Sequence, residues 1–437
     1  MTTHQQASLP EATKYGPNKH AMRANMISPD ALEIVRTLKK AGYQAYIVGG
    51  GVRDTLLDLH PKDFDIATDA TPEQAHELFR RSRLIGRRFR LLHVYSGRDY
   101  IEVATFRGPA PQEGHNQHHA DEDGRVLRDN VYGNMAQDAL RRDFTINSLF
   151  FDPDSCEVID YADGVKDLDE GYVRLIGDPE TRYREDPVRM LRAVRFAVKL
   201  SFDIHPDSEK PIPRLHELLS NIPAARLFEE VLKLFHTGVA VETYHELQHL
   251  HLFQHLFPQT VRAMQSEDGA WANALIEAAL TSTEDRINSG KSVTPAFLYA
   301  VFLWAPIRQH ERAHIAAGMS PVPAAQKAQS EVLHQQIHST AIPKRFRAGM
   351  TDIWALQRQL ENPRGRRPYL ALEHPRFRAA YDFLCLRAQA GDADQKWADW
   401  WTKFQFAGEE EQQQMLSDLP RAPRRRGRRR AKPQAAK

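Results

Sequence analysis

Ile47-Val48-Gly49-Gly50-Gly51-Val52-Arg53-Asp54, followed by Lys62-Asp63-Phe64-Asp65-Ile66-Ala67-Thr68, is the stretch on which the fold of this chain turns. Ala45-Tyr46-Ile47-Val48 reads as a short buried strand, the glycines as a turn, and Val52 to Leu59 as a helix. Phe64 and Ile66 alternate with Asp63 and Asp65, which is strand periodicity and puts both carboxylates on one face. Like charges held that close are costly unless a cation neutralises them. Magnesium suits the pair, because it is content with one or two carboxylates plus substrate phosphates. Glu102, polar between Ile101 and Val103, is the expected third carboxylate of a two-metal site. The glycine turn offers free N–H groups and a helix N-terminus to an anion, at Gly49 and Gly50, and Arg53 adds a cationic fork. It is not a dinucleotide fingerprint, since Asp54 stands where that pattern needs its last glycine, and it lacks the P-loop lysine.

Outward from this stretch, Ser28-Pro29-Asp30 is a helix start and residues 31–41 follow with helical period. Residues 73–81 read as a helix, and Leu91–Tyr95 and Tyr100–Phe106 as strands joined by a turn at Ser96-Gly97-Arg98-Asp99. Residues 108–124 form a polar loop. From about residue 180 the pattern is helical, broken at Pro206, Pro211, Pro223 and Pro258. The expected class is α+β: a disordered leader (1–27), a mixed-sheet head (28–170), a helical neck (171–240), a helical body (241–405) and a disordered Arg-rich tail (406–437).

Composition agrees with a soluble globular protein, at 41% hydrophobic and 27% charged residues. No run of 18 apolar residues and no signal-peptide core is present, so no membrane segment is expected. Cys156 and Cys385 form no metal-type pair, which fits a reducing cytoplasm. Residues 421–437 hold nine Lys and Arg and no acid, so that arm is +9 and the rest of the chain is −7 of the net +2. Such an arm attracts polyanions.

The two opening blocks resemble the head of the class II nucleotidyltransferases, the group of bacterial poly(A) polymerases and tRNA CCA-adding enzymes within the polymerase-β superfamily. Arg141-Arg142-Asp143-Phe144-Thr145-Ile146-Asn147 and Arg184-Glu185-Asp186-Pro187-Val188-Arg189-Met190-Leu191-Arg192-Ala193-Val194-Arg195-Phe196 extend the resemblance, which covers about residues 28–240. It implies that Asp63, Asp65 and Glu102 bind two magnesium ions, and that Gly50 and Arg53 contact the triphosphate of ATP. It implies ribose recognition at Arg142-Asp143, with Asp143 sometimes grouped among the catalytic acids. Asp186 and Arg189 would read the base edge, and Arg192 and Arg195 would add nucleotide or phosphate contacts. From the residues alone, Asp186 before Pro187 is also an ordinary helix cap, and Arg141-Arg142-Asp143 also reads as a surface ion-pair cluster.

Leu84-Ile85-Gly86-Arg87-Arg88-Phe89-Arg90-Leu91-Leu92-His93-Val94 resembles the segment that marks bacterial poly(A) polymerases, departing at Leu92, where Ala is common. The basic arm resembles their tail. The reading is template-independent addition of AMP from ATP to RNA 3′ ends, with pyrophosphate release, by a cytoplasmic monomer. The resemblance also implies links to RNA decay machinery and an RNA chaperone. The alternatives are CCA or A addition to tRNA, and a non-catalytic RNA-binding scaffold, which would have lost a carboxylate or the glycine turn. His245-Glu246-Leu247-Gln248-His249 matches HExxH but reads as a His-rich amphipathic helix. His115, His118, His119 and Asp121 read as part of the polar loop, and Trp397, Trp400 and Trp401 as helical core.

Overall fold

The sheet grows outward from the strand that precedes the glycine turn. The structure is a computed structural model that describes residues 9–86, 90–108, 131–266 and 269–420. A separate small pair joins Tyr172–Val173 to Asp203–Ile204 in parallel, and eight strands make the main sheet: β1 (Thr13–Tyr15), β2 (Ala45–Val48), β3 (Asp65–Thr68), β4 (Ser82–Ile85), β5 (Leu91–Ser96), β6 (Asp99–Thr105), β7 (Phe150–Asp152) and β8 (Glu157–Asp160). They form one mixed sheet in the order β1-β8-β7-β2-β3-β6-β5-β4. Within it only β3 and β6 run parallel, with Ile66 opposite Val103; the other pairs are antiparallel. Strand β2 is central and buried, as its apolar run requires. Gly97, at φ +60°, turns the β5–β6 hairpin at the expected place.

One face of the sheet packs Val48, Ala67, Phe150 and Ile159 against Met135 and Ala139 of the helix Met135–Arg141. The helix Pro29–Lys40, capped by the Ser28 side chain as expected, contacts β2 and β3. Sequence reasoning misplaced the aspartate strand by two residues. Asp63 and Phe64 precede β3, because Phe64 is buried beneath the start of the helix Gly50–Leu56 instead of pairing in the sheet.

This mixed α and β unit comprises Met1–Pro258 with Gln336–Ala341. It includes the helices Val188–Leu200, Ala224–Phe235 and Ala240–His249. The break falls at Pro258 and not at residue 240, because Ala240–His249 packs on Val188–Leu200. The leader is also corrected in its described part: Thr13–Tyr15 pairs with Val158–Asp160.

The second unit, Gln259–Gln335 and Ile342–Lys437, is helical in its described residues. Trp401 is buried with Leu360, Phe377 and Phe404, as the core reading expects, while Trp397 and Trp400 are partly buried and pack against that cluster. Residues Glu409–Ser417 form a helix inside the segment expected as tail. The arm 421–437, most of the polar loop and Arg87-Arg88-Phe89 lie outside the described residues. Among the described residues no helix is long and apolar enough to cross a membrane.

Candidate active site

A cavity of about 770 Å3 opens where the glycine turn, the start of β3 and the helix Val188–Leu200 converge. Its lining places Gly49, Gly50, Arg53, Asp63, Asp65, Arg142, Asp143, Asp186, Arg189, Arg192 and Arg195 together, eleven of the twelve residues singled out in the sequence. Glu102 is not on the lining. It stands on β6 in register beside Asp65 on the same face of the sheet, half exposed, with His93 Nε2 3.3 Å away.

The three glycines are needed for different reasons. Gly49 has φ +75°, a conformation that L side chains rarely adopt. At Gly51 an added Cβ would sit 2.8 Å from Phe64 Cδ1, so this glycine lets the helix approach the Asp63–Phe64 segment. Gly50 leaves its space open to the Arg53 guanidinium at 3.5 Å.

Asp65 is the perturbed acid of the site. Loss of solvent around it raises its pKa to about 6, and the charges of Glu102 and Asp63 push the same way, against Arg142. No guanidinium or ammonium is paired with it in an ion pair among the described residues, so these carboxylates repel one another. A hard divalent cation would relieve that arrangement, and three carboxylates are the oxygen donors magnesium takes, although their ligand atoms do not all lie within 4.8 Å of one another as the side chains stand.

The cavity wall is the opposite: eleven Lys and Arg side chains line it against five Asp and Glu. Arg53 is 3% exposed and held by Asp54, at 2.7 Å from its Nε, and by the Asn147 side chain. Arg142 donates to buried Asp138 from Nε and Nη2, at 3.1 and 2.9 Å. Asp138 also accepts from Arg107; burial alone would raise its pKa, but the two arginines hold it below the ordinary carboxylate range. Asp143 accepts from Arg192 Nε at 2.7 Å, from Arg192 Nη2, and from the Phe144 backbone N–H at 2.9 Å. Burial would push its carboxyl up; the Arg192 charge and these hydrogen bonds outweigh burial and hold it well below the usual range. It is therefore an ionised carboxylate already committed to Arg192.

The helix Val188–Leu200 buries Met190, Leu191, Val194 and Ala197, so Arg189, Arg192, Arg195, Phe196 and Lys199 fall on the cavity side. Phe196 gathers Arg53, Arg192 and Arg195 at 5.1, 5.4 and 4.8 Å from its ring centre, contacts worth about 0.5–2 kcal/mol each. Arg195 Nε is buried with no hydrogen-bond partner among the described residues. Asp186 accepts from the Val188 N–H at 3.4 Å and from Arg226 Nη2 at 2.7 Å, while the N-cap of the helix Val188–Leu200 is Pro187, with no side-chain capping bond. Arg189 Nη1 donates to Glu185 at 3.0 Å.

Sequence reasoning missed the residues that hold these arginines. Asn147 closed a quoted block but was assigned nothing; it links Arg53 to Asp143. Asp138 lies four residues before Arg142 on one helix, a spacing that was available as a signal. Arg182 ties the carbonyls of Arg141 and Arg142 to Glu185, and burial brings its pKa down to about 10. Nothing in the sequence marked it. His245 and His249 lie on the helix Ala240–His249, whose Tyr244 and Leu247 are buried, as the amphipathic reading expects. His115, His118, His119 and Asp121 lie outside the described residues.

Three family models match the chain. They are the poly A polymerase head domain over residues 45–174, a probable RNA and SrmB-binding site of polymerase A over 201–264, and the polymerase A arginine-rich C-terminus over 317–434. The poly(A) polymerase I of Salmonella typhimurium is 47% identical over 429 residues, covering 97% of this chain and 92% of the relative. A CCA-adding enzyme of Lactobacillus helveticus is 40% identical, but over 47% of this chain and 49% of its own. Among solved structures, the Bacillus stearothermophilus CCA-adding enzyme in complex with CTP aligns with TM-score 0.56 and 26% identity, over 90% of this chain and 84% of that one.

Proposed function

The chain belongs to the poly(A) polymerase family and is a polynucleotide adenylyltransferase, and on that premise we propose that its cavity joins AMP from ATP to RNA 3′ ends on two magnesium ions. Asp63, Asp65 and Glu102 are the residues that would hold the metal. When bound, magnesium would favour the ionised primer hydroxyl and neutralise charge on the leaving pyrophosphate. Gly49, Gly50 and Arg53 receive the triphosphate, with Arg53 aimed in advance by Asp54 and Asn147. Asp143 positions Arg192, and the pair with Arg142 flanks the ribose. Asp186 and Arg189 read the adenine edge, after exchanging their contacts to Arg226 and Glu185 for the base. Arg195 supplies its unpartnered N–H to the nucleotide.

The observation that carries this reading is the charge inversion inside one cavity: mutually repelling carboxylates on one side and a cationic wall opposite. A triphosphate and its metal fit both at once. The arm at 421–437 attracts RNA phosphates without reading sequence. We further propose a cytoplasmic monomer working with RNA decay machinery and an RNA chaperone. Asp63→Ala and Asp65→Ala, assayed for AMP addition and for RNA binding, test the site. Addition is lost and binding remains; normal turnover in either variant overturns the metal assignment. A tRNA-specific role is the second reading, favoured by the similarity to the CCA-adding fold.

A further inference from the structure

The geometry points to a second metal site, of the zinc class, in the helical unit: His310, His314 and Glu331. It owes nothing to the nucleotide cavity or to the function proposed for it.

His310 and His314 stand at i and i+4 on the helix Trp304–Ala316, so both imidazoles share one face. Glu331 comes from the next helix, Pro321–Ser339. Its Oε2 lies 3.0 Å from His310 Nδ1 and 2.8 Å from His314 Nε2. One oxygen therefore meets both rings, and the three ligand atoms all lie within 4.8 Å of one another. Among the described residues no other group of three His, Cys, Asp or Glu converges in this way, the HExxH helix included. The other oxygen, Oε1, lies 3.8 Å from Lys327 Nζ, so the lysine engages the carboxylate from the side away from the histidines.

The donor set decides the class of ion. Two neutral imidazoles and one carboxylate suit zinc and its borderline neighbours, and not magnesium or calcium, which take oxygen. Zinc bonds of about 2.0–2.1 Å in a tetrahedron give ligand–ligand edges of about 3.3 Å, so the two His–Glu contacts need open by only a few tenths of an ångström, and the two ring nitrogens already lie within 4.8 Å of each other. Water completes the fourth position. All three side chains are partly exposed, which gives an ion a path in. The bound ion would pin the two helices together across the turn at Gly318, whose φ is +91°.

The test uses the full chain carrying Asp63→Asn and Asp65→Asn, so that the nucleotide site binds no metal. After chelation, zinc is titrated in competition with a chromophoric chelator, and cobalt(II) absorption reports imidazole ligation. One equivalent of zinc is expected, with a rise in thermal midpoint. His310→Gln and His314→Gln each weaken it by more than about tenfold, since losing even an outer partner of a ligand costs about 10–100-fold. His245→Gln with His249→Gln keeps the equivalent. No stoichiometric zinc, or zinc retained undiminished by the His310→Gln and His314→Gln proteins, overturns the proposal and leaves two hydrogen bonds in its place.

Discussion

In the helical unit, Asp392 accepts from Arg387 Nε and from Trp304 Nε1, both at 2.7 Å, and Arg387 lies 4.5 Å over the Trp304 ring. Glu311 is likewise enclosed by Arg308 and Arg358, at 2.8 and 2.5 Å. In the sheet unit, burial and the charges of Glu102 and Asp63 outweigh that of Arg142 at Asp65, and its pKa climbs to about 6. Both units are rich in arginine, so arginine alone does not mark a site. The mark is acids left facing acids beside a wall of bases, an arrangement that destabilises the empty fold and that a metal nucleotide would neutralise.

Neutralising one acid in each unit tests that contrast most sharply. Asp392→Asn removes one of the two carboxylates paired with the buried Arg387, the other being Glu361; breaking a buried pair costs up to about 3–5 kcal/mol. Urea unfolding should show that loss, while AMP addition per folded molecule stays unchanged. Asp65→Asn should reverse the pattern: addition drops by about 10²–10³-fold or more, as for loss of a group that stabilises the transition state. Its urea midpoint should hold or rise, because repulsion is relieved. Equal destabilisation of both proteins would erase the distinction.

Gly51→Ala is a smaller break. Its Cβ would meet Phe64 Cδ1 at 2.8 Å and shift the segment that carries Asp63. Overpacking of this kind costs about 1–3 kcal/mol, and addition should fall more than RNA binding does. A protein with wild-type stability and rate would show that the close approach has no consequence.

The histidines give the smallest contrast. Burial first, and then the charge of His216, lower the pKa of His255 to about 4. The unfolded chain takes up a proton near the ordinary imidazole value of about 6.5, which the folded chain refuses until pH 4. The stability contributed by this group is therefore complete above that value and is lost as the pH falls through the window to 4. His255→Gln should unfold less steeply with acid there; an unchanged acid slope would remove His255 as its source.

How far the site was legible follows from what each residue does. Asp63, Asp65 and Gly49 announced themselves through spacing and residue type, because a strand face and a positive φ leave local traces. The ridge Arg189, Arg192, Arg195 was visible for the same reason, as helical period. Asn147 and Arg182 act by reaching across the fold, and no local pattern records a contact between residues 53 and 147 or 182 and 141. The placement of β3 failed because tertiary packing of Phe64 overrode a correct alternation. Thr13–Tyr15 was read as disordered because three residues carry no period; its order comes from β8.

Adenylate transfer to RNA ends in general is tested most directly by incubating the enzyme with an unstructured RNA and with a tRNA lacking its 3′ end, each with ATP or with CTP. AMP tails are expected on both RNAs, with negligible CMP incorporation. CMP added to the tRNA at a rate comparable to AMP, with the unstructured RNA left unextended, would contradict it.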